Sequence, residues 1–125
     1  MITTTDAQVM ATLKQVVSEQ PEYTYSAPEY MVVDSDAPAS CFYVHLDKDG
    51  KAVSAGCGVG AVLHRLGVPL EEMRRYEGQT SLQMMKHVVS GVTREAANKL
   101  RIFQAEQDSQ RTWGESYVRA TGETI

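Results

Sequence analysis

The chain has no run near the ~18 consecutive apolar residues that mark a membrane span, so no membrane association is expected. Its N-terminal stretch MITTTDAQVM has neither a basic region nor an apolar run, so no secretory signal is expected either. Cysteine is scarce: Cys41 and Cys57 are the whole complement. With no export signal, such usage points to the cytoplasm, a reducing compartment and free thiols. No C-x-x-C pair occurs, although most structural zinc sites use one. The chain also lacks a basic excess, with 12 Lys and Arg against 16 Asp and Glu and a net charge of -4. Residues 1–70 carry eight acids against four bases, and residues 71–125 carry eight of each. A generally nucleic-acid-binding surface is therefore not expected, while a local basic helix face stays open.

What is present reads as one domain, residues 1–125. Hydrophobic residues make up 42% and charged residues 22%, an ordinary globular balance. A chain of this length buries roughly two thirds of its extended surface on folding. Thr5 and Gln8 stand in capping-box spacing, and Val9, Leu13, Val16 and Val17 form one helical stripe. A helix is expected over 6–19, ended by Pro21. Residues 20–40 hold three prolines and no helical period, so they read as an extended segment. Within it, Tyr30-Met31-Val32-Val33 is the expected strand. In CFYVHLDKDGKAVSAGC, residues 41–57, two β-type runs flank Asp-Lys-Asp-Gly, a strong hairpin signal.

The remainder, 58–120, is helical in pattern. Val59, Val62, Leu63 and Leu66 share a face before Gly67, and Pro69 opens a short helix closed by Gly78. Leu82, Met85 and Val89 form the next stripe. Thr93 caps a longer helix with Ala96, Leu100 and Phe103 inward. Thr112 and Glu115 give a second capping-box spacing before Trp113, Tyr117 and Ala120. The fold class is α+β, mainly helical, with five to six helices and a small antiparallel hairpin or three-stranded sheet.

Five constellations invite chemistry. Gly56, Gly58 and Gly60 in SAGCGVGAVLHRLG suggest an anion-binding joint at a helix start. The spacing is nevertheless G-x-G-x-G rather than G-x-G-x-x-G, no parallel sheet follows, and no P-loop lysine is present. Close packing of helix on hairpin is the simpler reading. If the hairpin closes with a three-residue loop, Lys48–Gly50, then Cys41 stands opposite Cys57. A two-residue turn places Phe42 there instead. Cys41, His45, Cys57 and His64 could supply zinc ligands, but Cys41 and His45 lie about 13 Å apart along a strand. No metal or cofactor is expected. A Cys57–His nucleophile pair has no third orienting group: His64 falls on the solvent face and His87 at the core or its rim. Glu71 and Glu72 diverge on a helix. Catalysis is not expected.

The competing class is a helix-turn-helix regulator, with Arg74 and Arg75, or Arg94, Asn98 and Arg101, on a recognition element. The glutamates beside these arginines oppose it.

CFYV, then GCGVGAVLHRLGVPLEEM, then AEQDSQRTWGES resemble small proteins encoded by phages of mycobacteria and related actinobacteria. In that group the last segment reads Q-D-x-G-x-T-W-G, whereas here Ser109-Gln110 follows Gln107-Asp108. The resemblance implies an early or accessory phage product that acts in the host cytoplasm, often by binding host proteins. It brings no catalytic residues. The expected function is binding and modulation of a host or phage protein through the tyrosine-rich segment, with Tyr23, Tyr25 and Tyr30 as contacts. A homodimer stays open.

Overall fold

Thr5, Thr80, Thr93 and Thr112 each begin a helix, and each hydroxyl accepts the backbone N–H three residues on. In the computed structural model, which describes residues 1–33 and 41–125, these caps open α1 (Asp6–Glu19), α5 (Ser81–Val88), α6 (Arg94–Asp108) and α7 (Trp113–Thr121). Between them run α2 (Glu29–Val33), α3 (Gly58–Arg65) and α4 (Leu70–Arg74). The strands are β1 (Ile2–Thr3), β2 (Val44–Leu46), β3 (Ala52–Ala55) and β4 (Val89–Ser90). The fold is α+β and mainly helical. Residues 34–40, the end of the segment read as extended, lie outside the described residues.

The apolar stripes bury as their spacing predicts. Val9, Leu13, Val16 and Val17 of α1 face Val59, Val62 and Leu63 of α3, and all are buried. Leu100 and Phe103 of α6 and Tyr117 of α7 complete the same core, with α6 packed along α7. Gly67, at φ +113, ends α3 in the left-handed region, the conformation a glycine cap supplies without a Cβ clash.

The structure differs from the sequence reading in two places. Tyr30-Met31-Val32-Val33 is part of helix α2 rather than a strand. Pro28 presets the first turn, and its carbonyl accepts Met31 N–H at 3.0 Å. The turn brings Met31 Sδ to 3.4 Å from the Leu46 amide of β2. The second difference is a parallel pair, β1 with β4, in which Ile2 faces Val89 and Thr3 faces Ser90. Among the described residues the sheets are therefore two separate pairs rather than one three-stranded sheet.

The hairpin closes as its Asp-Lys-Asp-Gly sequence requires. Asp47 N–H donates to Lys51 O at 2.8 Å, and Asp47 Oδ1 accepts the Asp49 and Lys51 amides. The loop is thus Lys48–Gly50. The register then slips: Leu46 faces Ala52 but His45 faces Ser54, leaving Val53 as the extra residue of a bulge. Beyond it, Phe42 O accepts the Cys57 amide at 2.9 Å.

Candidate functional site

The glycine joint into α3 is built by contact. A Cβ on Gly58 would overlap the Phe103 ring, and one on Gly60 would overlap the Tyr43 carbonyl. A Cβ on Gly56 would meet Phe42 O and lie 2.7 Å from His45 Cδ2. Three amides at this joint are already engaged. Gly56 N–H donates to Tyr43 O, Cys57 N–H to Phe42 O, and Gly58 N–H to Gln107 Oε1, each at 2.9 Å. Two of the three glycine amides expected to hold an anion, those of Gly56 and Gly58, are therefore taken by protein acceptors.

Gln107 is the residue the sequence reading missed. Cys57 occupies the N-cap of α3 but makes no side-chain cap bond, so Gln107, fully buried on α6, supplies the acceptor. The same oxygen accepts the Trp113 indole N–H at 3.0 Å, and Gln107 Nε2 donates to Asp108 Oδ1 at 3.2 Å. One signal was available: position 107 continues the Ala96, Leu100, Phe103 stripe at the next helical step. A polar residue on that stripe implies a buried partner.

Cys41 and Cys57 do meet. Their Cα atoms are 5.6 Å apart and the sulfurs are paired, within the span a disulfide bridges. The expectation of free thiols is corrected, since among the described residues no cysteine is free. The loop length used to place them is right, but the bulge at Val53 carries Cys57 into register with Phe42. Cys41 reaches Cys57 from the adjoining position. His45 and His64 do not join them, and the described residues hold no group of three metal-type ligands. His64 is exposed on α3, with Nδ1 3.0 Å from Val68 O. His87 is exposed and stacks on Tyr76 at 5.2 Å.

The three tyrosines occupy three different environments. Tyr25 is 7% exposed, so its assignment as a partner contact is corrected: it is a core lid. Its hydroxyl accepts the Phe42 amide at 3.2 Å and lies 2.8 Å from His45 Nε2. Burial pushes the Tyr25 hydroxyl up to about 12, despite the Phe42 bond, and burial also lowers the His45 pKa. A neutral imidazole that accepts the tyrosine proton at Nε2 fits both shifts. Tyr23 is half-buried, with its ring edge-on to Trp113 at 4.8 Å. Tyr30 is exposed, and its hydroxyl donates to Leu46 O.

Pro21 and Tyr23 are fixed to α7. Trp113 N–H donates to Tyr23 O and Gly114 N–H to Pro21 O, both at 2.8 Å. Residues 21–27 alternate: Tyr23 and Tyr25 turn inward, while Glu22, Thr24 and Ser26 stay exposed, followed by Glu29 and Tyr30.

A cleft of about 650 Å³ lies between Cys41–Tyr43, the loop Glu77–Ser81 and the face of α6 bearing Arg101, Gln104 and Asp108. Glu77 accepts the Tyr43 and Val44 amides at 2.8 and 3.1 Å. Burial raises its pKa, partly offset by those two bonds. Asp108 is also raised by burial, against its bond from Gln107. Ser81 Oγ and Gln104 Oε1 are buried on this cleft without a hydrogen-bond partner among the described residues.

Arg74 and Arg75 lie at the end of α4, and Arg94 and Arg101 lie on α6. α4 spans five residues, and Arg74 pairs with Glu71 at 3.5 Å. The α5–α6 joint runs through β4, tied to the N-terminus, rather than through a short turn. Arg101 Nε is bonded to Asn98. Among the described residues no helix is long and apolar enough to cross a membrane. Comparison with models of protein families, with curated proteins and with solved structures finds no match.

Proposed function

We propose that this chain is a small non-catalytic accessory protein that binds and modulates another protein, of host or phage origin, in the cytoplasm. The observation that carries this reading is the ribbon 21–30. Its inward side is held by Tyr23, Tyr25 and two backbone bonds to α7, so its outward side is ordered before any partner arrives. Ordering a contact surface in advance removes part of the entropy loss of association. The outward residues Glu22, Thr24, Ser26, Glu29 and Tyr30 present two acids and one aromatic ring. They suit a partner with a basic rim around an apolar pocket. The resemblance to small actinobacteriophage proteins supplies the cellular context.

The test separates the two sides of the ribbon. The tagged full chain and a Glu22→Lys, Glu29→Lys, Tyr30→Ala variant are used for capture from actinobacterial lysate. A partner held by the wild type and lost from a variant with an unchanged circular dichroism spectrum supports the reading. Equal capture by both chains overturns it.

A further inference from the structure

The two paired sulfurs are unequally placed. Cys57 is fully buried at the N-cap of α3, whereas Cys41 is only partly buried and lines the 650 Å³ cleft. A disulfide with one sulfur on a ligand-sized cleft and the other beneath it is arranged for directional exchange, since attack requires access. We propose that Cys41–Cys57 is a redox site that exchanges with a low-molecular-weight thiol entering this cleft.

The chemistry balances in two steps. An external thiolate attacks Cys41 Sγ, forming a mixed disulfide, and the electron pair of the broken Cys41–Cys57 bond leaves on Cys57 Sγ. A second thiolate attacks the external sulfur of the mixed disulfide, releasing the external disulfide and the Cys41 thiolate. Two external thiols are oxidised, one protein disulfide is reduced, and the two protein thiolates take up the two protons lost by the external thiols.

The full chain is equilibrated with reduced and oxidised glutathione as the tripeptide probe, acid-quenched, alkylated with a maleimide and weighed intact. The expected result is a change from two alkylated thiols to none as the oxidised fraction rises, with circular dichroism unchanged. In Cys57→Ser a glutathione adduct accumulates on Cys41. In Cys41→Ser, Cys57 reacts at least about tenfold more slowly, as a buried sulfur should. Peptide mapping of partially labelled wild type decides the order of reaction if either variant fails to fold. Reduction that occurs only at the rate of global unfolding, or an adduct that forms first on Cys57, overturns the proposal.

Discussion

The joint into α3 and the joint into α7 meet at one side-chain oxygen and solve the same problem in opposite ways. Entry to α3 has no cap of its own. Three glycines let the chain press against Tyr43, Phe103 and His45, and Gln107 reaches across to satisfy the first amide. Entry to α7 carries its own cap. Thr112 caps Glu115 N–H at 3.1 Å, and the ribbon carbonyls of Tyr23 and Pro21 take the two amides before it, those of Trp113 and Gly114. Yet its approach passes through Gln110 at φ +69, the one non-glycine residue among those described with a left-handed backbone. The first joint depends on side chains being absent, and the second tolerates one at Gln110. The lesson is that glycine at the first joint is required by neighbours, whereas at the second it would be required only by the backbone.

The largest expected effect comes from the shared oxygen. Gln107→Leu leaves Gly58 N–H and the Trp113 indole N–H buried without an acceptor, at about 1–3 kcal/mol for each. Urea unfolding should show the loss, and fluorescence of Trp113, the single tryptophan, should report on both joints at once. Gly60→Ala should follow, at about 3 kcal/mol, because the atom in its way is a backbone carbonyl that cannot rotate aside. Thr112→Ala should cost about 1 kcal/mol and leave α3 intact by hydrogen exchange. Gln110→Gly should stabilise by about 0.5 kcal/mol: relief of the left-handed strain exceeds the added freedom of the unfolded chain. Thermal melting should resolve this as a small rise.

A graded pH effect completes the comparison. His45 packs over the first joint with its pKa held below 6.5 by burial, so the unfolded chain binds that proton more tightly. Its contribution is full above about pH 6.5 and is lost as pH falls through the folded value. Asp108, leading to the second joint, is raised above 3.8. Its contribution is full below that value and is lost as pH rises through the folded pKa. Melting temperature against pH should show His45→Gln flattening the acid limb and Asp108→Asn raising stability near neutrality.

Most of the helical frame was legible, because local chemistry determines it. The Thr5 and Thr112 caps, the stripe from Val9 to Val17 and the Asp47 loop all act within a few residues. What was not legible depends on distant partners. Tyr30–Val33 has strand composition, but Pro28 and the docking of Met31 on Leu46 make it a helix. Tyr25 reads as a surface aromatic until Phe42 and His45 close over it. The meeting of Cys41 and Cys57 was reached through a register that the Val53 bulge then altered. Gln107 looks like one more polar residue of α6 until its acceptor role, 49 residues from Gly58, becomes visible.

The pairing of β1 with β4 fixes when this chain can finish folding. Thr3 and Ser90 are separated by 87 residues and joined through their hydroxyls at 3.0 Å, and Asp6 accepts the amide of Thr93, the cap of α6. On the ribosome, β1 has no strand to pair with until β4, 87 residues on, has followed it. α1 can form early from its own cap, but its N-terminal end is held only after β4 arrives. Contacts this distant in sequence are slow to close, so β1 is among the last elements to reach its native place.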